Sequence, residues 1–331
     1  MSSPIIALKK ATGKSKDVTN MCSTIEWSGG IENVARTLDL GYINAPYDPN
    51  IKGMAKPSCG DYISMKIDGK ELFYGRVYSI EKTSENGTTT VHCIDNSQFL
   101  LKNQGCYKFK GKTAEAITAK VCGDAGIPTG DIASTGVTIK RMICDDNNLM
   151  QIIIKAYTYA HKSNGKKYMS VMKDRKFCVI EQGKLIKGFT LDESKNITSS
   201  SYSESTEEIV NKVVGYDSKS KIATTQNNAD SQKKYGTFMA TYHKEDGVSV
   251  SSGAKALLQG PAQSLSVNAL GNIKCISGYA VKLKDSATGM SGKYWIKTDK
   301  HTWQNGTYTM ALELEFKNIM KTEEDDSEDS E

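Results

Sequence analysis

The clearest pattern of hydrophobic and polar positions lies in residues 308–316. Alternate positions there are apolar, namely Tyr308, Met310, Leu312, Leu314 and Phe316. Strict period-two alternation is what a half-buried strand requires, since successive side chains point to opposite faces. The preceding dipeptide Asn305-Gly306 tolerates the positive φ angles of a tight hairpin turn. The pattern predicts that residues 271–316 form antiparallel strands rather than a nucleotide-binding α/β unit.

Residues 1–103 show a similar β pattern. The strands that it predicts are 34–40, 63–67, 72–80 and 88–94. Asp68-Gly69 and Asn86-Gly87 are hairpin-turn sequences between them, and two prolines in 44–50 predict a loop. Because successive strands usually pair with one another, the segment is predicted to form a β meander.

Residues 104–190 have a mixed pattern. Two runs with apolar residues at helical spacing predict helices. Thr113 is predicted to cap the first helix. The second helix is predicted to start near Asp145-Asp146-Asn147 and to end at Gly165. A hairpin is predicted from strands 168–172 and 177–181 with a turn at 174–175. The segment therefore reads as a small α+β module.

Residues 191–320 return to a β pattern. The features predicted there are an exposed edge strand or linker at 199–205, strands at 209–216 and 235–242, a mobile loop at 226–234 and a helix at 252–258. Residues 321–331 hold one lysine and seven acids and no apolar side chain, so that segment is predicted to be disordered.

Composition limits the classes of protein that fit. A length of 331 residues predicts two or three domains. No apolar run approaches the roughly 20 residues of a membrane span, and no basic region precedes the first apolar residues, so neither a membrane anchor nor a secretion signal is expected. Net charge is +5 with a strongly acidic segment at 321–331, so the remainder is more basic. We read this as a solubility feature rather than as a polyanion site.

The eight cysteines are scattered, without Cys-x-x-Cys pairs or histidines at zinc-ligand spacing. Most lie beside apolar residues, which favours reduced, partly buried thiols acting as small hydrophobic side chains over a metal or redox site. Synthesis in a reducing, intracellular compartment is the expectation that follows.

Sequence signals for catalysis are weak. The carboxylate pairs Asp145-Asp146 and Glu207-Glu208 are interpreted as a helix start and an exposed strand entrance. The four histidines fit no nucleophile motif, and Gly111-Lys112-Thr113 lacks the upstream glycine of a phosphate-binding loop. Lysines alternate at 108, 110 and 112 and predict a basic strand face, most simply a solvated one. No residue is nominated for catalysis, cofactor binding or metal binding.

Two stretches carry a family resemblance. Gly278–Leu283, Gly292–Ile296, His301 and Gly306–Leu312 resemble the closing segment of the baseplate hub proteins of contractile phage tails, of the XkdQ and late-control type. Gly60–Met65 and Leu72–Val77 resemble the family's first barrel. Within the chain, Gly60, Ile63, Met65 and Gly75 echo Gly278, Val281, Leu283 and Gly292. His301 is interpreted as a turn or packing residue rather than a base.

The resemblance implies a mainly β fold with a small α+β insert, in which two tail-tube-like β-barrel domains flank a helix-containing module. The implied domains are 1–103, 104–190 and 191–320, followed by an acidic tail at 321–331. It also implies a homotrimer that joins the sixfold tail tube to the threefold central spike and contacts other baseplate proteins and the tape measure protein. DNA would at most pass through a channel, and the protein would lie in the virion or particle after assembly in the bacterial cytoplasm.

Two alternatives stay open at this point. One is a tail-associated cell-wall hydrolase, which clearing on a cell-wall zymogram would favour. The other is a β-rich module that binds glycans or nucleic acid, for which salt-sensitive retention on heparin or DNA would be evidence.

Overall fold

The computed structural model describes residues 3–45, 48–50, 55–83, 87–245 and 248–323. Its strands are β1 (Ile5–Lys9), β2 (Ser15–Asp17), β3 (Cys22–Gly30), β4 (Thr37–Ile43), β5 (Tyr62–Ile67), β6 (Lys70–Lys82), β7 (Thr88–Asp95), β8 (Gln104–Thr113), β9 (Thr129–Ile132), β10 (Thr138–Asn148), β11 (Tyr168–Lys173), β12 (Lys176–Glu181), β13 (Leu185–Asp192), β14 (Ile197–Ser205), β15 (Lys212–Tyr216), β16 (Ile222–Asn227), β17 (Met239–His243), β18 (Ala262–Leu270), β19 (Ala280–Asp285), β20 (Met290–Gln304) and β21 (Thr307–Glu315). The helices are α1 (Gln98–Lys102), α2 (Ala114–Asp124), α3 (Leu149–Asn164), α4 (Ala229–Tyr235) and α5 (Val250–Ala256).

Three sequence predictions fall wholly or partly outside the described residues. They are the loop at 44–50, Asn86 of the second predicted turn, and most of the acidic segment 321–331.

Thirteen of the described strands form one sheet. Its hydrogen-bonded order is β14-β18-β21-β20-β3-β4-β7-β6-β5-β1-β2, and β13 joins it through β19, which pairs with β20. Along this path the described strands form an open sheet that ends at β14 and β2. The mainly β class, predicted from the alternation of apolar positions, is confirmed, and so is the small helix-containing insert, predicted from apolar residues at helical spacing.

The large sheet contains one six-strand arrangement twice. The first half has the neighbour order β1-β5-β6-β7-β4-β3, and the second half has the order β13-β19-β20-β21-β18-β14. In both halves the chain visits these six positions in the same sequence. The halves differ in that β1 runs antiparallel to β5, whereas β13 runs parallel to β19. We call these two sets of strands the first and second β halves.

Matching backbone hydrogen bonds support the duplication. In the first half the Gly60 N–H donates to the Val77 carbonyl at 2.8 Å and the Val77 N–H donates to the Asp61 carbonyl at 2.9 Å. In the second half the same two bonds join Gly278 to Ile296 at 3.0 Å and Ile296 to the Tyr279 carbonyl at 2.9 Å. A register shift follows Val77 in β6 and Ile296 in β20. β6 and β20 are therefore equivalent strands.

One part of the predicted internal echo is wrong. Gly75 does not correspond to Gly292, because Gly75 lies opposite Ile63 while Gly292 lies opposite Leu283. The residue opposite Val281, which is the equivalent of Ile63, is Tyr294. The other three predicted correspondences hold in the hairpins β5–β6 and β19–β20.

The predicted hairpin turns are confirmed where the structure describes both residues. Asp68 and Gly69 have φ angles of 50° and 75°, and Asn305 and Gly306 have 50° and 74°. Two consecutive positive φ angles are the signature of the tight turn that suits twisted strands. The local sequence therefore fixes both the position and the register of these hairpins.

Strand β3 joins the two halves. It pairs antiparallel with residues 298–304 of β20, and His301 lies opposite Trp27. The sequence patterns did not reveal this pairing, because its two strands are far apart in the chain. The predicted segments 1–103 and 191–320 are hydrogen-bonded to each other in this way, and their boundaries at 103 and 190 stay a prediction.

The module between the halves packs α2 and α3 against the paired strands β8 and β10. Its core comes from these two helices and two strands, from α1 and from the β11–β12 hairpin. The fully buried members include Leu100, Ile117, Val121, Met150, Ile152, Ala156 and Phe177. Thr113 caps α2 as predicted, accepting from the Ala116 N–H at 3.4 Å. Asn148 caps α3 in a capping box with Gln151, so Asp145, Asp146 and Asn147 lie in β10 instead of starting the helix. Gly165 ends α3 with φ 71°, as predicted.

Residues 201–265 form a second compact unit, which the sequence did not predict. Within it β15 pairs with β16 antiparallel and with β17 parallel, and Val213, Tyr242 and Ala254 form a small core. The predicted mobile loop at 226–234 is wrong, because α4 occupies most of it and Asn228 caps that helix by accepting from the Ser231 N–H. Polar composition was mistaken there for the absence of structure.

In the described part of the chain, no helix has the length and apolar character needed to span a membrane.

Candidate functional site

A buried ion pair lies where the two β halves meet. Arg36 follows β3 in the chain, and its guanidinium makes two parallel hydrogen bonds to the Asp299 carboxylate of β20, one of them at 3.1 Å. The guanidinium carbon also lies 4.0 Å from the centre of the Trp27 ring. Arg36 is 8% exposed and Asp299 is 1% exposed. The pair therefore connects the two halves away from solvent.

Three further groups surround Asp299. The Ser277 N–H donates to its Oδ1 at 2.7 Å, and His301 Nε2 lies 3.3 Å from its Oδ2. Burial acts to raise the pKa of Asp299, but the Arg36 guanidinium and the hydrogen bond from His301 outweigh burial and hold that pKa well below its usual range. We call Trp27, Arg36, Ser277, Asp299 and His301 the junction cluster.

His301, the residue singled out in the family resemblance, is completely buried in this cluster. Its Nδ1 lies 2.8 Å from the Tyr308 hydroxyl and its Nε2 lies 3.1 Å from the Cys275 carbonyl. Its ring packs against that of Trp27, with 5.3 Å between centroids. This is the environment of a packing residue that orders the closing strands.

A second carboxylate lies next to the cluster. Asp95, at the end of β7, accepts from the Arg36 N–H at 3.1 Å and from the Ser97 N–H at 2.9 Å. Burial raises the pKa of Asp95 to about 6, although these hydrogen bonds act against the increase. Arg36 therefore contacts two buried carboxylates, through its side chain and its backbone.

The raised pKa of Asp95 predicts a pH-dependent stability. The folded protein retains a proton on the Asp95 carboxyl that the unfolded chain releases near pH 4. This difference in proton binding stabilises the folded state; the stabilisation is complete below pH 4 and is lost as the pH rises through about 6. Thermal unfolding from pH 4 to pH 7 should show a steeper decline for the native protein than for Asp95→Asn, which cannot titrate. Parallel pH profiles for the two proteins would contradict this assignment.

All eight cysteines are described and free of disulfides. Cys59 and Cys106 are exposed and Cys22 is partly buried, whereas the other five are buried. Burial raises the pKa of Cys22, Cys122 and Cys275 to about 12, which suppresses the reactive thiolate.

These burial differences predict two classes of thiol. We expect Cys59 and Cys106 to react rapidly with a disulfide reagent such as Ellman's reagent, while the remaining thiols react at the rate of unfolding. The variant Cys59→Ser/Cys106→Ser should lose the fast phase entirely. A fast phase that persists in this variant would show that the buried thiols are accessible.

The carboxylates considered as candidates lie on the surface. Asp145 and Asp146 are exposed in β10, where the Cys106 thiol donates to Asp145 at 3.2 Å, and Glu207 and Glu208 are exposed near β15. Gly111 has φ 60° and precedes the helix cap Thr113. Among the described residues, no three side chains of His, Cys, Asp or Glu are grouped as metal ligands.

The predicted basic strand face is present in β8. Lys108, Lys110 and Lys112 are exposed, and Lys110 lies directly opposite the exposed Arg141 of β10. Phe109, between the lysines, is buried in the core of the module. The alternation predicted from sequence thus separates a charged outer face from an apolar inner face.

Two of the exposed strand edges that the structure describes in the large sheet are those of β14 and of the end of β6. β14 ends the sheet order with β18 as its only neighbour in that order, and none of its nine residues is buried. In β6 the ladder with β5 stops at Arg76, so residues 79–82 have β7 on one side and no described strand on the other. Such edges present unpaired backbone groups that another chain can bind.

Comparisons with known proteins give a consistent family assignment. The family described as YQBQ-like matches residues 25–315. The uncharacterized protein YqbQ of Bacillus subtilis (strain 168) is 31% identical over 269 residues, which cover 78% of this chain and 82% of that protein. The phage-like element PBSX protein XkdQ of the same organism is 29% identical over 271 residues, which cover 79% of this chain and 83% of that protein.

Solved structures share the fold. The 43 kDa tail protein of prophage MuSo2 from Shewanella oneidensis superposes with a TM-score of 0.71 at 15% sequence identity. The match covers 94% of this chain and 97% of that one. The chain therefore shares its fold with a prophage tail protein.

Proposed function

This chain belongs to the YQBQ-like family, and from that premise we propose that it is a structural protein of the baseplate hub in a contractile phage tail or a tail-like particle. Its relative XkdQ is named as a protein of the phage-like element PBSX, and the solved structure that shares its fold is named as a tail protein. In this role the protein acts through its shape and its contacts, and it is not an enzyme.

The duplicated β half is the observation that carries the proposal. A chain that holds two equivalent β units supplies six such units when it forms a trimer. A trimer of this kind can face a sixfold tail tube on one side and a threefold central spike on the other. The other proposed contacts are with neighbouring baseplate proteins and the tape measure protein, and DNA passes at most through the central channel.

The domain division that goes with this proposal is a tube-like β domain at 1–103, the α+β module at 104–190, a second tube-like domain at 191–320 and an acidic tail at 321–331. The strand equivalence of the two halves supports the two tube-like domains. The particle assembles in the bacterial cytoplasm, and the protein resides in the virion or tail-like particle.

Locating the protein within the particle tests this function. An epitope inserted at the exposed turn 218–220 leaves both β halves intact, because that turn joins β15 to β16, and neither strand belongs to a β half. We expect antibody label at one end of the tail, between tube and spike, and tails without spikes when the gene is deleted. Label along the whole tube, or none on purified particles, would argue against a hub. A cell-wall zymogram of the purified chain tests the hydrolase alternative directly.

A further inference from the structure

We propose that strand β14 of one copy pairs antiparallel with residues 79–82 of β6 in a second copy, in the way that β3 pairs with β20 within the chain. This inference rests on the proposed homotrimer and adds to it the two strand edges that meet and their register. The partner of β14 is thus the β6 edge of a second copy of this protein, and the partner of the β6 edge is the β14 strand of another copy.

Strand equivalence is the first step. β6 and β20 occupy the same position in the two halves, with matching hydrogen bonds at Val77 and Ile296 and matching register shifts just after them. β3 and β14 occupy the last position in the two halves, next to β4 and β18, and each has nine residues. The pair β3–β20 inside the chain therefore has an equivalent, β14–β6, between chains.

The second step is the state of the strand edges. Inside the chain, residues 298–304 of β20 are covered by β3. The equivalent edge of β6 has no described strand on it, and Tyr78, at the register shift, is 37% exposed. Strand β3 has four buried residues, whereas its equivalent β14 has none. The β20 edge is therefore covered by β3 within the chain, whereas the equivalent β6 edge and the strand β14 are left open. The two open edges are complementary because β14 is the equivalent of β3, and the β6 edge is the equivalent of the β20 edge.

The register follows from the pair within the chain. Thr298 lies opposite Gly30 and His301 opposite Trp27. We transfer this register to the second pair by replacing each residue of β20 with its equivalent in β6, and each residue of β3 with its equivalent in β14. Ser79 then lies opposite Ser205, Glu81 opposite Ser203 and Lys82 opposite Tyr202. Directly opposed residues of two paired strands lie on the same face of the sheet, so the Lys82 side chain packs against the Tyr202 ring. Glu204 is two residues from Tyr202 on that face and is therefore diagonal to Lys82. Neither face then brings like charges directly opposite each other.

Closure explains why two open edges are retained. If each copy offers β14 to the next copy, first and second halves alternate around a ring of three chains, and no edge of this type stays open. Pairing all edges in a closed ring prevents the open-ended assembly that exposed strands otherwise invite.

Disulfide cross-linking tests the register. Two variants are mixed and oxidised, one with Glu81→Cys and the other with Ser203→Cys. Both also carry Cys59→Ser and Cys106→Ser, which remove the exposed native thiols. We expect a covalent heterodimer, because directly opposed residues of paired strands lie within disulfide range. The control mixture of Glu81→Cys with Tyr202→Cys places the two thiols on opposite faces and should cross-link at least tenfold more slowly. Equal rates in both mixtures would overturn the proposed register.

Charge exchange provides an independent test. Lys82→Glu should weaken self-association roughly fivefold to tenfold, by placing a carboxylate diagonal to Glu204, and Lys82→Glu/Glu204→Lys should restore it. Sedimentation measures association, and far-ultraviolet circular dichroism checks that each variant is folded. A trimer that is insensitive to both variants would refute this interface while leaving the hub function intact. If neither the purified chain nor the isolated baseplate contains an oligomer of this protein, the proposed homotrimer itself fails, and the interface with it.

Discussion

Replacing Asp299 by alanine is expected to reduce the free energy of unfolding of the large sheet by about 3–5 kcal/mol, since it leaves one partner of a buried ion pair without the other. The Arg36 guanidinium would keep its charge in a buried site, where Arg36 is 8% and Asp299 is 1% exposed, without the carboxylate that neutralises it. The Ser277 N–H would lose its acceptor as well. Urea unfolding followed by tryptophan fluorescence measures the effect, because the three tryptophans lie in β3 and β20.

A surface ion pair on the same two strands supplies the matched control. Lys300 of β20 lies 2.8 Å from Glu26 of β3, but their side chains are 49% and 30% exposed. Lys300→Gln is therefore expected to change stability by less than about 1 kcal/mol. The double variant Arg36→Met/Asp299→Leu should recover much of the loss, because it removes both charges. Similar losses in Asp299→Ala and Lys300→Gln would show that burial of the pair is unimportant.

Apart from His301, which the family resemblance marked as a turn or packing residue, the junction cluster could not be predicted from the sequence. Asp299 and His301 fall in a polar stretch of β20, and Arg36 lies in a short connection before β4, so local periodicity marks none of them as buried. Their burial follows from the pairing of β3 with β20, which is a contact between distant parts of the chain. A charged residue is buried at such a place because a specific partner arrives from another strand.

Local features were predicted more successfully. The turns at Asp68-Gly69 and Asn305-Gly306, the cap Thr113 and the helix end Gly165 are each determined by residue types that favour one backbone conformation. The same reasoning failed at 226–234, where a polar sequence forms α4 because Asn228 caps it. Helix caps act over three residues and can override the weak apolar signal of a short surface helix.

The prediction for residues 199–205 left two possibilities open, an exposed edge or a linker. The structure shows the edge, as strand β14, and its serine-rich sequence suits a strand that must remain soluble before it is paired. The sequence could not show that β14 is equivalent to β3, since only Ser28 and Ser203 are identical when the two nine-residue strands are matched position by position. Only the order of strands in the sheet reveals their common position.

Replacing Gly75 by alanine is the second change expected to have a large effect, a loss of about 3 kcal/mol. A Cβ atom at this position would overlap the Ile94 carbonyl group of β7, and it would lie 2.8 Å from the Phe73 ring. The obstructing atom is backbone, so β6 and β7 would have to move apart near Asp95, which lies opposite Gly75. Thermal unfolding monitored by tryptophan fluorescence measures the loss.

Gly123→Ala tests whether this effect comes from crowding rather than from loss of glycine in general. Gly123 lies in α2, and nothing lies within 4 Å of the added Cβ, so alanine is expected to raise stability by about 0.5–1 kcal/mol. Effects of the same sign at both positions would contradict the steric explanation. The equivalent of Gly75 in the second half is Tyr294, a bulky residue. The requirement for glycine therefore arises from the close approach of β7 in the first half, and it is not inherited from the repeated arrangement of strands.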